Sequence, residues 1–126
     1  MARILIVDDE RISVLLTRRL VARLGHEVAG AVSTGEDAVN QARELRPDII
    51  LMDIGLKGEM DGIEAATEIN SIYDTPIIYM TAYTDSGTKQ RMDLTKHVGQ
   101  LSKPFREEDL QDMIQHLMNN SVPGYM

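Results

Sequence analysis

The sequence predicts an α/β fold, a doubly wound three-layer sandwich of five strand–helix units around a parallel sheet. Three observations predict it. Short apolar runs alternate with amphipathic stretches of roughly 10–15 residues, the rhythm of repeated βα units. Two runs, Ile4-Leu5-Ile6-Val7 and Ile49-Ile50-Leu51-Met52, are continuously apolar, as central parallel strands covered on both faces should be. The length of 126 residues suits one domain with a sizeable core.

The first strand is expected at 3–7 and the first helix at 10–24, where Ile12, Leu15, Leu16, Leu20 and Leu24 form an apolar stripe at spacings near three and four. Gly25 follows as a left-handed residue just past the helix end. The second strand is placed at 26–32 and the second helix at 35–46, with Pro47 stopping it before a third strand at 48–53. Asp61-Gly62 opens a third helix over 61–72. Pro76 begins a fourth strand at 76–80, where a missing amide proton is tolerated. A fourth helix at 85–95, a fifth strand at 98–102 and a last helix at 106–119 complete the set. Glu107-Glu108-Asp109 put acids in the first turn of that last helix, where the dipole favours them. The domain is assigned to 1–120; residues 121–126, with Pro123 and Gly124, read as a flexible C-terminal tail or linker stub.

Composition narrows the function. Apolar residues are 43% and charged residues 26%, ordinary for a globular protein. A net charge of −7 argues against a nucleic-acid surface, which needs a basic patch, and suits a cation or a basic partner. The absence of cysteine excludes disulfides and thiolate metal sites. The longest apolar runs are strand-sized, so no membrane partner is expected and the default location is cytoplasmic.

The chemistry gathers at strand ends. Asp8 and Asp9 close the first apolar run, Asp53 the third, Thr81 closes Ile77-Ile78-Tyr79-Met80, and Lys103-Pro104 ends the fifth. In an open parallel sheet the ligand site lies outside the carboxyl ends of the strands. Singly, each residue has a plainer reading: an acid at a helix start, a β-favouring threonine, a solvated lysine. Together, acids converging on one edge repel one another unless a hard cation lies among them. Magnesium fits, since it takes oxygen ligands and keeps several waters. Lys103 supplies a second positive charge for phosphoryl oxygens, and Thr81 a hydroxyl. His26, His97 and His116 are scattered without metal-ligand spacing, and the eight methionines read as core or helix-face residues.

Ile6-Val7-Asp8-Asp9-Glu10, Leu51-Met52-Asp53-Ile54, Met80-Thr81-Ala82 and Leu101-Ser102-Lys103-Pro104-Phe105, with Met60-Asp61-Gly62-Ile63-Glu64 between, closely resemble the receiver domain of two-component response regulators. The resemblance runs from about Arg3 to Met118. It implies a flavodoxin-like (βα)5 sandwich with strand order 2-1-3-4-5. It implies that Asp53 accepts a phosphoryl group from a phosphohistidine on a sensor histidine kinase or a histidine phosphotransfer protein, switching a surface read by an unknown downstream protein. Mg²⁺ would be held directly by Asp9 and Asp53, through water by Asp8, and by the main-chain carbonyl of Gly55. Lys103 would balance phosphoryl charge, and its bond to Pro104 would be cis.

The chain also departs from the family pattern. The position three before the lysine, aromatic in many receivers, is Gln100, so the usual threonine–aromatic coupling does not carry over; its amide, Tyr83 or another face stay open as replacements. The loop after the acceptor has Gly58 where proline is common. Gly55 and Tyr83 hold the positions that tune acyl-phosphate lifetime, and the expectation is a long-lived phosphorylated state. An aspartyl-intermediate phosphatase is disfavoured because its paired acids stand one residue apart. A nucleotide or flavin protein would need a phosphate-cradling loop after the first strand, where this chain has acids. The remaining alternative is a degenerate receiver acting as a phosphorylation-independent binding module. The chain is expected to be a signalling receiver that catalyses only its own phosphorylation and dephosphorylation, whether stand-alone or part of a longer protein.

Overall fold

The continuously apolar runs become the middle of a five-stranded sheet. In the computed structural model, which describes residues 1–82, 85–96 and 99–120 (the last without its side chain), strands and helices alternate. They are β1 (Arg3–Val7), α1 (Arg11–Arg23), β2 (Glu27–Val32), α2 (Gly35–Leu45), β3 (Ile49–Asp53), α3 (Gly62–Asn70), β4 (Ile77–Thr81), α4 (Ser86–Asp93), β5 (Gly99–Ser102) and α5 (Glu107–Asn120). Tyr83, His97, Val98 (the first residue of the expected fifth strand) and the 121–126 tail lie outside the described residues. All strand pairs are parallel, in the order β2-β1-β3-β4-β5, the flavodoxin-like arrangement expected.

Alternation along each strand sends side chains to two separate cores. Leu5, Val7, Ile50, Met52, Ile77 and Tyr79 face α2, α3 and α4, meeting Ala38, Ala42, Ala66, Ile69 and Met92. Ile4, Ile6, Leu51, Ile78 and Met80 face α1 and α5, meeting Val21, Leu110 and Ile114. Every residue of β3 and β4 is buried, which is why both run without polar alternation up to their last residues, Asp53 and Thr81. The chain reverses its winding beside β1, placing the switch point between the carboxyl ends of β1 and β3.

The apolar stripe expected on the first helix is corrected by the structure. Thr17 and Val21 are its buried residues, while Ile12, Leu15 and Leu16 are 74%, 65% and 56% exposed. Leu20 and Leu24 do pack partly against the core. At about 100° per residue, Ile12 and Val21 fall on opposite sides of the helix. The docked face therefore includes a threonine, and the leucine-rich spacing at its start faces outward.

Turn chemistry follows the sequence more closely. Gly25 and Gly58 have φ of +84° and +102°. Arg46, at the end of α2, is left-handed with φ +45°, and Pro47 follows it. Asp61 caps α3 in a reciprocal box: its side chain accepts from Glu64 N–H, and Glu64 accepts from Asp61 N–H. His26 has a local structural partner, its Nδ1 accepting the Ala2 N–H at 2.9 Å. Among the described residues no helix is long and apolar enough to cross a membrane.

Candidate functional site

Parallel pairing brings the ends of β1, β3, β4 and β5 to one edge. Asp8 follows β1, Asp53 and Thr81 are the last residues of β3 and β4, and Lys103 follows β5. Register locks them there: Asp53 lies opposite Met80 and Thr81 opposite Ser102, while Lys103 N–H donates to the Thr81 carbonyl at 2.7 Å. Asp8, Asp53 and Thr81 are 1%, 7% and 2% exposed, although three strand-end polar residues would ordinarily sit in water.

A cleft of about 420 Å³ opens above them. Asp9, Glu10, Asp53, Gly55, Thr81 and Lys103 line it, with Lys57 from the loop after β3 and Thr88 and Arg91 from α4. Asp53 is pinned from below, because Gly62 packs so closely that a Cβ there would lie 2.1 Å from the Asp53 carbonyl oxygen.

The acids are not spent on capping α1. Its N-cap, Glu10, makes no side-chain cap bond. Asp8 instead turns inward: Oδ1 accepts the Glu10 N–H at 3.0 Å, and Oδ2 accepts from the Ser13 hydroxyl and from Lys103 Nζ at 2.9 Å. Asp53 Oδ1 accepts the Gly55 N–H at 2.9 Å, and its Oδ2 lies 3.2 Å from Lys103 Nζ. Glu10 Oε1 is 3.8 Å from the same ammonium. One lysine thus serves three carboxylates.

The electrostatics split the two aspartates. Burial pushes the Asp8 carboxyl up, but hydrogen bonds from Ser13, Lys103 and the Glu10 amide outweigh it and hold the pKa below the ordinary value. Burial dominates at Asp53, and with the negative charge of Asp8 it holds that pKa above the ordinary value despite Gly55 and Lys103. For Lys103, burial disfavours the ammonium, yet the two aspartates hold its pKa above the usual lysine range. Of these two aspartates, Asp53 is the one whose charged form burial disfavours on balance.

Oxygen atoms of Asp8, Glu10 and Asp53 lie within 4.8 Å of one another, an all-oxygen donor set suited to a hard cation. Of the residues expected from sequence, the structure joins Asp8, Asp53 and Lys103 directly and brings Asp9, Gly55 and Thr81 to the same cleft. Asp9 lines the cleft with its Oδ2 accepting the Lys57 N–H at 3.0 Å, and Glu10 joins Asp8 and Asp53 in the carboxylate cluster. Glu10 was missed as a candidate, though its place in the Asp8-Asp9-Glu10 run was a signal. The Lys103–Pro104 bond is cis. Gln100 is exposed on β5, in register with buried Tyr79, whose hydroxyl lies 2.7 Å from Thr95 Oγ1.

Comparison with known proteins places this geometry. The profile described as "Response regulator receiver domain" matches residues 4–115. The transcriptional regulatory protein PdtaR of Mycobacterium tuberculosis is 32% identical over 108 residues, covering 86% of this chain but 52% of PdtaR, so the chain spans about half that relative's length. The signal receiver domain of a modulated diguanylate cyclase from Desulfovibrio desulfuricans G20 superposes with a TM-score of 0.90 at 36% identity, covering 95% of each chain. The receiver domain of sensor histidine kinase PA1611 from Pseudomonas aeruginosa PAO1, solved with magnesium coordinated in its active-site cleft, gives a TM-score of 0.85 at 30% identity, covering 94% of this chain and 98% of that one.

Proposed function

Since the chain belongs to the response regulator receiver domain family of two-component signalling, we propose that Asp53 accepts a phosphoryl group from a phosphohistidine. The donor is a sensor histidine kinase or a histidine phosphotransfer protein. An Asp53 carboxylate oxygen attacks phosphorus; the O–P bond forms as the N–P bond breaks, and the electron pair stays on the imidazole nitrogen, which takes a proton from solvent. The observation that carries this reading is Lys103 Nζ, held between Asp8 and Asp53 at 2.9 and 3.2 Å under an open cleft.

Each residue has a task that the geometry supports. The Gly55 N–H fixes one Asp53 oxygen, so the carboxylate meets the incoming phosphorus in one orientation. Lys103 is a point charge able to follow the phosphoryl oxygens as charge moves onto them. Thr81, lining the cleft, offers its hydroxyl to another phosphoryl oxygen. The residues that would hold Mg²⁺ are Asp8, Asp9 and Asp53 with the Gly55 carbonyl; Glu10 stands near enough to Asp8 and Asp53 to join them. When bound, the ion neutralises phosphoryl charge and relieves the repulsion between Asp8 and Asp53. The product is an acyl phosphate whose presence shifts the population of surface conformations read by a downstream protein. Gly55 has no side chain with which to position a hydrolytic water, which favours a long-lived adduct.

Intact-mass spectrometry after incubation with acetyl phosphate tests the reading. One phosphoryl adduct is expected, dependent on Mg²⁺ and lost in Asp53→Asn. Absence of an adduct from both acetyl phosphate and a phosphorylated kinase would leave the phosphorylation-independent binding module as the better account.

A further inference from the structure

Beside the acceptor stands a second cation that the proposed transfer does not use. Arg91, on α4, lines the same cleft as Asp53, Thr81 and Lys103. Its Nη2 lies 2.9 and 3.2 Å from the two carboxylate oxygens of Asp61. Asp61 immediately precedes Gly62, the residue pressed against the Asp53 carbonyl, so the ion pair is anchored next to the acceptor's own backbone.

Three features make this pair exchangeable rather than fixed. The Arg91 side chain is 49% exposed, so its guanidinium can swing without crossing packed apolar atoms. Asp61 already accepts the Glu64 N–H in the helix cap, and its side chain is 27% exposed, so losing Arg91 strands no buried charge. Finally, α4 is lightly held: Met92 is its buried residue, and its far end is tied by the Tyr79–Thr95 hydroxyl contact.

We propose that Arg91 is a second phosphoryl-binding cation, which leaves the Asp61 carboxylate for the phosphoryl oxygens on Asp53 and draws α4 with it. A phosphoryl group brings a dianion into a cleft where Lys103 is already shared among three carboxylates. A guanidinium fork matches phosphate geometry, and a dianion outbids a monoanionic carboxylate for it. Asp61 thereby holds Arg91 in reserve, and the exchange couples the acceptor to α4 without an aromatic at position 100.

This inference rests on Asp53 being the acceptor, and its test separates the two. The probe is beryllofluoride with Mg²⁺, a phosphoryl mimic, titrated calorimetrically into the full chain. Arg91→Gln is expected to weaken binding about tenfold and Arg91→Lys less, a point charge replacing the fork. Asp61→Asn retains a good N-cap residue and frees Arg91, so it is expected to tighten binding about threefold. The double variant is expected to behave like Arg91→Gln. These opposite signs are a readout that mere support of α4 by the ion pair would not give. Wild-type affinity in Arg91→Gln, or weakening in Asp61→Asn, overturns the role of Arg91 while leaving Asp53 as acceptor. No beryllofluoride complex and no acetyl phosphate adduct in the wild type would overturn both.

Discussion

The Lys103 ammonium lies 2.9 Å from Asp8 Oδ2, joining the end of β1 to the turn after β5 across 95 residues of sequence. The Asp8 side chain has no exposure and that of Lys103 15%, so little water screens the pair. Its arrangement is both structural and chemical: the cation paired with Asp8 is the one that the proposed transfer offers to the phosphoryl group.

Lys103→Ala should therefore lose stability as well as phosphorylation. Removing one partner of a buried ion pair leaves the other charge uncompensated, here with a second carboxylate 3.2 Å from the vacated ammonium position. We expect a loss of about 2–4 kcal/mol at neutral pH by chemical denaturation. The loss should shrink as pH falls, because without Lys103 the variant's Asp8 takes up its proton at a higher pH than in the wild type, where the pKa is held below the ordinary value. A pH-independent loss would show that packing of the lysine stem, not charge, is what the mutation removes.

Asp53→Asn should have the opposite effect on stability. The folded-state pKa of Asp53 is raised above 3.8, so the folded protein binds this proton more tightly than the unfolded chain. Stability is then lost as pH rises through the folded value, and at pH 7 the full penalty is present. Asparagine keeps the shape and removes the penalty. We expect a gain on the order of 1 kcal/mol, a few degrees in Tm, without divalent ions. The gain should fade as pH falls through the raised folded-state pKa and be gone below the ordinary value of 3.8, where both the folded and the unfolded chain hold the proton. Added Mg²⁺ should stabilise wild type more than the variant, since only the wild type offers the charged carboxylate.

Gly62→Ala should disable the proposed acceptor, Asp53, through its backbone. The added Cβ would sit 2.1 Å from the Asp53 carbonyl oxygen and 2.8 Å from Ile54 Cα, both main-chain atoms that cannot rotate away. Either β3 shifts or α3 lifts from its cap. We expect a cost of about 3 kcal/mol and a large drop in acetyl phosphate labelling. Near-normal melting and labelling would mean that the turn after β3 relaxes freely, and that Asp53 is held by its side-chain contacts alone.

The fold was legible because burial on both faces leaves a strand no polar positions: β1, β3 and β4 announce themselves as Ile4 to Val7, Ile49 to Met52 and Ile77 to Met80. The residues at their ends were legible for the same reason, since an acid or hydroxyl directly after an apolar run marks a sheet edge. Side-chain direction was not legible. Nothing in Asp8-Asp9-Glu10 says that Asp8 turns inward, Asp9 toward Lys57 N–H and Glu10 toward Lys103; that depends on a lysine ninety-odd residues away. The α1 stripe misled because spacing identifies an apolar face without saying what covers it. Arg91 carried no strand-end signal, being on a helix whose approach to the cleft only the packing reveals.

That outward stripe yields a last prediction. Ile12, Leu15 and Leu16 are exposed on the helix that starts two residues after Asp9, and Leu15 shares a hollow with Asp8 and Asp9. Large apolar side chains clustered beside a polar site mark a contact surface rather than a core. On the proposed transfer, a histidine-phosphorylated donor places its phosphoryl group in the adjoining cleft, and its own surface would then cover this end of α1. Leu15→Gln and Leu16→Gln keep helix propensity and remove apolar area, so stability should change by no more than about 0.5 kcal/mol. Labelling by acetyl phosphate, which needs only the cleft, should match wild type. Transfer from a phosphorylated kinase or phosphotransfer domain should slow about tenfold, the cost of one or two lost apolar contacts. Equal slowing with both donors would locate the defect in the cleft, and no slowing with either would remove α1 from the docking surface.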